Sequence, residues 1–252
     1  MIELNKLYNC DCMELMAQIP DKYFELAIVD PPYGGGADTL NNSDKELSGG
    51  GVQTGSIKSA PVSVDGLTNT ISKVNHAHGD HFAKYQKTTG GIFDPDIGMD
   101  INHWDIAPSP EYFSELARVS QNQIIWGGNY FDLPPTRCFL IWKKLTISEN
   151  FSMAMCEYAW TSFNDNAKVF EYAPQDKARF HPTQKPVALY EWILSRYAHK
   201  GDKILDTHAG SASSLVACHN MGFDFVGCEI DEEYYRVANE RLQAAQAQLT
   251  LF

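Results

Sequence analysis

Four residues, Asp30-Pro31-Pro32-Tyr33, carry the clearest chemistry in the chain. They follow the apolar run Leu26-Ala27-Ile28-Val29 and precede Gly34-Gly35-Gly36. Two prolines remove backbone donors and fix φ, so a strand that ends here cannot continue and the turn is stiff. The Asp30 carboxylate and the Pro31 carbonyl are left as open acceptors at the C-terminal end of a strand, the edge where open α/β sheets bind ligands. Two adjacent acceptors suit an exocyclic amine whose lone pair is delocalised into a ring. Holding its two N–H groups favours a pyramidal nitrogen and frees the lone pair, which is positioning plus electrostatics. Pro32 stiffens the turn, and Tyr33 offers a ring that can stack on a planar base. Such a base, if it starts in a duplex, must first be flipped out. The same four residues would also make an ordinary turn, and only the strand before them favours the chemical reading.

A second turn follows the run Ile204-Leu205 as Asp206-Thr207-His208-Ala209-Gly210-Ser211-Ala212. It reads as strand, tight Gly/Ser turn, then helix, a geometry that brings backbone N–H groups close to a ligand. The strand Phe223–Cys228 then ends in Glu229, 23 residues after Asp206, where an acidic side chain can accept from ribose hydroxyls. The G-x-G-x-x-G phosphate grip is absent, which disfavours a dinucleotide. Upstream, His181-Pro182-Thr183-Gln184-Lys185-Pro186 places a Lys between prolines just before a helix. Lys185 can neutralise a carboxylate there, or be an exposed Lys at a stiffened turn.

Seven strands are expected around these turns: Leu4–Tyr8, Leu26–Val29, Gln123–Trp126, Cys138–Trp142, Tyr158–Thr161, Lys203–Leu205 and Phe223–Cys228. Helices are expected at Met13–Ala17 with Asp11 as cap, Glu111–Val119 with Ser109 as cap, Pro186–Tyr197, Ser213–Met221 and Glu232–Gln248. Strands interleaved with helices mean an α/β sheet covered on both faces. Residues 34–103 break the rhythm, being rich in Gly, Ser, Asn, Thr and His, and read as a mobile insertion.

The chain has 252 residues, six cysteines without a C-x-x-C pair, no secretory signal and no apolar run long enough to span a bilayer. A cytoplasmic protein with free thiols is expected. Its net charge of −12 argues against a protein that coats nucleic acid nonspecifically. Charge is uneven, however: residues 136–203 hold ten Lys/Arg against seven Asp/Glu, and residues 204–252 hold two against seven. A DNA-facing patch would draw on Arg137, Lys143, Lys144, Lys177 and Arg179; each alone also reads as a solvated surface charge.

The order of motifs, Asp30 to Tyr33, then His181 to Pro186, then Asp206 to Ser211 with Glu229, resembles the beta group of the DNA amino-methyltransferases. Ile124-Ile125-Trp126-Gly127-Gly128-Asn129-Tyr130-Phe131 and Phe139-Leu140-Ile141-Trp142-Lys143-Lys144 are further similar to phage- and prophage-borne members. The resemblance covers most of the chain outside 34–103. It implies a circularly permuted, Rossmann-like α/β fold in one domain, with 1–33 and 104–180 as catalytic half and 181–252 as cofactor half. It implies S-adenosylmethionine as cofactor and double-stranded DNA as substrate, in a bacterial or phage-encoded, restriction-modification setting. Asn9-Cys10-Asp11-Cys12 would lie near the cofactor adenine, with Asp11 accepting from its amine. His181, Thr183 and Lys185 would meet the methionine end, Asp206, His208, Ala209, Gly210 and Ser211 would wrap the cofactor beside Asp30, and Glu229 with Ile230 would bind the ribose side. The usual glycine two after Gly210 is Ala212, and His208 stands where an aromatic is common. DNA-sequence recognition would fall to 34–103, and a homodimer is left open.

The implied reaction is methylation of N6 of adenine, with N4 of cytosine as the alternative, since the same acceptors serve either amine. Cytosine C5 methylation needs a Cys after Pro, and no Pro-Cys occurs. Protein-glutamine methylation uses a similar tetrapeptide with the cofactor turn first, against the order here. A rival of another class comes from His76, His78, Asp80 and His81, whose spacing resembles the zinc cradle of hydrolases. It lacks a strand before it and a downstream ligand set, so no metal is assigned. A non-catalytic DNA-binding relic is the third reading, disfavoured by intact Asp30 and Tyr33.

Overall fold

The computed structural model describes residues 2–34, 106–148, 154–174 and 179–248. Among these residues eight strands form one sheet: β1 (Lys6–Asn9), β2 (Phe24–Val29), β3 (Ser120–Trp126), β4 (Phe139–Lys144), β5 (Cys156–Thr161), β6 (Lys168–Tyr172), β7 (Lys203–Asp206) and β8 (Asp224–Glu229). Their order is β1-β8-β7-β2-β3-β5-β4-β6. All run the same way except β5, which is antiparallel to both neighbours. The first and last strands lie side by side, as a circularly permuted chain requires.

Helices cover both faces. On one lie α1 (Cys12–Met16) and α2 (Pro110–Val119), whose Leu15, Met16, Tyr112, Leu116 and Val119 pack on Ala27, Val29, Ile125, Leu205 and Val226. On the other lie α3 (Val187–Tyr197), α4 (Ser213–Met221) and α5 (Glu232–Ala247), packed on Leu26, Ile28, Ile124, Trp126, Leu140 and Trp142. Alternate residues of β2 thus serve opposite cores, as the strand period dictates. Buried Tyr112, Leu116 and Val119 recur at helical spacing, and Pro110 stands at a position that needs no N–H. Arg118 ties α2 to the end of α1, donating to the carbonyls of Ile19 and Met16 at 2.8 Å each; the Met16 carbonyl also accepts from Ile19 N at 3.0 Å.

Three expectations change. The sheet has an eighth strand, β6, at the edge beyond β4; its side chains are mostly exposed, so it lacks the apolar signature of a buried strand. β1 starts at Lys6 rather than Leu4, because Asn5 turns through a left-handed conformation with φ 61°. Ser109 occupies the cap position of α2 without its hydroxyl bonding the helix amides. The expected insertion, with its His76, His78, Asp80 and His81, lies outside the described residues apart from Gly34. A Cβ on Gly34 would meet Ala107 Cβ at 3.0 Å, so the described chain leaves and returns at one place. Among the described residues no helix is long and apolar enough to cross a membrane.

Candidate active site

Because β1, β8, β7 and β2 are parallel neighbours, their C-terminal ends line one edge of the sheet. Four acids stand at those ends in that order: Asp11 just beyond β1, Glu229 and Asp206 as the last residues of β8 and β7, and Asp30 directly after β2. The topology therefore brings together three motifs far apart in sequence.

Asp30 is nearly buried, with 13% of its side chain exposed. Its Oδ1 accepts from the Tyr33 hydroxyl at 2.8 Å, and its Oδ2 accepts from the Lys185 ammonium. Burial raises the carboxyl's pKa, and the Lys185 charge opposes that rise. Each carboxylate oxygen has further lone pairs, so two bonds leave capacity for a donor from a ligand. The Tyr33 ring stacks on Tyr130, with centroids 4.7 Å apart and planes 21° from parallel. Gly127 is required beneath it: its φ is 66°, and a Cβ would lie 2.0 Å from Tyr33 Cε1. Tyr130 is 63% exposed.

Lys185, 3% exposed, meets protein carboxylates: Asp30, and Glu157 Oε2 at 3.0 Å. Glu157 Oε1 in turn meets Lys144 Nζ at 2.6 Å. Burial works to raise the Glu157 pKa, but the Lys185 and Lys144 ammonium groups outweigh it and hold it at about 2. For Lys185, burial works downward and the Asp30 and Glu157 charges prevail, keeping it protonated. The two ammonium groups lie over indoles, Lys185 over Trp126 at 5.2 Å and Lys144 over Trp142 at 5.1 Å.

The antiparallel direction of β5 explains why Glu157 is here. Its N-terminal part lies where the parallel strands end, and Glu157 pairs with Trp142 in register. Neither Glu157 nor Lys144 was singled out for the site from sequence. The available signal was an acidic residue directly before the apolar run Tyr158–Thr161. Lys144 corrects the DNA-facing patch, since it is buried and paired with Glu157. Of the others, Lys143 is exposed and paired with Glu171, Arg137 bonds Asn166, Arg179 bonds the carbonyls of His181 and Pro182, and Lys177 lies outside the described residues.

The second turn is held by its own acids. Glu229 Oε2 accepts from Gly210 N at 2.8 Å and Oε1 from Asp231 N at 3.0 Å. Asp206 accepts from His208 N at 3.0 Å and from the Ser214 hydroxyl; burial lifts its pKa to about 7. The His181 ring covers Gly210, 3.2 Å from where a Cβ would stand, and meets Tyr234 edge-on at 4.3 Å. Thr183 bonds His181 Nδ1. His208 packs edge-on against Tyr112 at 5.3 Å, and burial lowers its pKa to about 4, so it behaves as a neutral aromatic ring. Ser211 bonds Ser213, Ala209 and Ala212 are buried, and Ile230 is 57% exposed. Asp11 caps α1 through Oδ1 on Met13 N and Glu14 N, while Cys12 opens that helix with its thiol pKa pushed up to about 12 by burial.

A family described as DNA methylase, acting on N6 or N4 amines, matches residues 102–240, more than half of the chain. The chain belongs to the N6/N4 DNA methylase family. Among curated relatives, the putative methylase YubD of Escherichia coli K12 is 38% identical over 68 residues, 27% of this chain and 30% of that protein. The DNA adenine methyltransferase YhdJ of the same organism is 39% identical over 70 residues, 28% of this chain and 24% of that protein. The matched segments thus span under a third of these relatives. The fold is shared with the crystal structure of the M1.HpyAVI–SAM complex, at TM-score 0.52 and 16% identity over 94% of this chain and 98% of that one.

Proposed function

We infer that this methylase transfers a methyl group from S-adenosylmethionine to an exocyclic amine of a DNA base, N6 of adenine. The observation that carries this reading is Asp30, a carboxylate fixed by Tyr33 and Lys185 at the end of β2 and still able to accept a further hydrogen bond. The adenine assignment is supported by the Asp that opens the tetrapeptide and by the relative named as an adenine methyltransferase. N4 of cytosine is the second reading, because the same acceptors would serve it.

The residues along the sheet edge fit the cofactor. Asp11 uses only Oδ1 as a cap, which leaves Oδ2 for an amine donor. Glu229 shapes the Gly210 turn and keeps lone pairs for hydroxyl donors. Exposed Ile230 offers apolar contact to a base. His181, Thr183, Asp206, His208, Ala209 and Ser211 build the turn that would hold the cofactor's body. When bound, S-adenosylmethionine supplies an electrophilic methyl on a sulfonium. Asp30 and the Pro31 carbonyl would hold the two amine N–H groups, and Tyr33, stacked on Tyr130 and bonded to Asp30, would fix the carboxylate beside the flipped base. This is stabilisation of charge developing on nitrogen in a water-poor site. Choice of the DNA sequence is assigned to residues 34–103, because the stretch between Thr161 and His181 is too short for a large recognition module.

The test is transfer of labelled methyl from S-adenosylmethionine to unmethylated genomic DNA, followed by nucleoside chromatography. Label in N6-methyladenosine is expected, and label in N4-methylcytidine would select the second reading. Asp30→Ala should lower turnover by about 100-fold or more while cofactor affinity by calorimetry stays near wild type. An Asp30→Ala chain with full turnover would overturn the assignment.

A further inference from the structure

Methyl transfer, the reading on which the role of Glu157 rests, asks Asp30 for acceptor strength to spare. A buried carboxylate held privately by one ammonium would have its charge largely absorbed by that partner. Lys185 is instead shared: it binds Asp30 on one side and Glu157 Oε2 at 3.0 Å on the other. Glu157 is itself held from behind by Lys144 at 2.6 Å. Two acids and two bases alternate from β2 through the turn before α3 to β5 and β4, and their charges cancel. Buried ion networks of this kind are poor sources of stability, because apolar residues of similar size usually do as well or better. What the network does supply is a fixed position for the cation beside Asp30.

We propose that Glu157 is a positioning residue of the active site, sharing the Lys185 ammonium with Asp30 and so setting the acceptor strength that Asp30 keeps for the amine. Lys144 tunes the same balance from the far end. Removing the Glu157 charge gives Lys185 wholly to Asp30, which makes Asp30 a weaker base and a poorer acceptor. Removing the Lys144 charge does the reverse. The other groups facing Asp30 are Tyr33 from its own turn, Tyr190 from α3 and Asp206 from β7; the Glu157 charge also reaches Tyr33 and Tyr190, but burial holds both hydroxyls above their ordinary pKa, so neither ionises across the acidic limb.

The experiment is the pH profile of kcat for methyl transfer to unmethylated genomic DNA, with the full chain and saturating S-adenosylmethionine, alongside calorimetry of cofactor binding. Glu157→Gln is expected to lower kcat by about tenfold and move the acidic limb down by about one pH unit, with cofactor affinity retained. Lys144→Met is expected to move the same limb upward, and it decides the matter alone if Glu157→Gln does not fold. Limbs that stay in place in both variants, or a loss of rate matched by an equal loss of cofactor affinity, would overturn the role of Glu157. A wild-type chain that labels no DNA base would overturn the methyl-transfer reading, and this proposal with it. An active wild type with unmoved limbs overturns the proposal alone.

Discussion

At Glu229 a single carboxylate holds two turns, with Oε2 on Gly210 N and Oε1 on Asp231 N. A hydrogen bond to a charged group is worth about 1.5–3 kcal/mol, and its loss also leaves a buried amide unpaired. Glu229→Ala should therefore weaken the cofactor by about tenfold or more and lower stability by roughly 2–3 kcal/mol. Glu229→Gln, with one accepting oxygen in place of two, should fall between. Calorimetry with S-adenosylmethionine and thermal melting measure the two effects, and unchanged affinity in the Ala variant would remove Glu229 from the cofactor site. This behaviour contrasts with that expected of Asp30→Ala, where rate falls and binding stays. Both acids were legible in the sequence because each ends an apolar strand, a local pattern. Glu157 and Lys144 were not, because their meaning depends on β5 running backward between β3 and β4. Sheet order is a long-range property that no window of residues contains. Lys144 looked like surface charge for the same reason.

The helices and the buried strands were legible through their apolar periods and stops. Gly222 ends α4 in a left-handed turn with φ 74°, where Gly is the natural residue. β6 was missed because an edge strand buries little: Val169 is 57% exposed, so the run reads as polar surface. The start of α4 is where sequence and fold disagree. Ala212 takes its cap position with φ 56° and ψ 24°, fully buried. A left-handed L-residue costs roughly 1–2 kcal/mol, whereas Gly carries its own entropic cost of about 0.5–1 kcal/mol. Ala212→Gly should thus be neutral to stabilising by up to about 1 kcal/mol, despite the loss of a buried methyl. Urea or thermal melting of the variant measures this. A loss above about 1 kcal/mol would mean that the methyl packs better than the backbone strain suggests.

Across the whole molecule, acid stability follows from groups buried in the neutral form. Burial lowers both His181 and His208 from the ordinary 6.5 to about 4. A folded pKa below the unfolded one means the unfolded chain takes up the proton first. The stability these rings contribute is complete above pH 6.5 and is lost as pH falls toward 4. Asp206 runs the other way. Its folded pKa of about 7 lies above the ordinary 3.8, so its contribution is present at low pH and is lost as pH rises through that window. The net slope of wild type mixes these opposite signs, and a difference between variants separates them. His208→Phe keeps an aromatic ring against Tyr112 and removes one titration, leaving His181 and Asp206 in place. Between about pH 7 and about pH 4.5, His208 should account for roughly 2 kcal/mol, or about 4–8 °C in Tm. Thermal melts of both chains at the two pH values give the answer. A smaller acid-induced fall in Tm for His208→Phe is the expected result. An equal fall in both would mean that His208 takes up its proton as readily in the fold as in the unfolded chain, with the Asp11 charge offsetting the effect of burial.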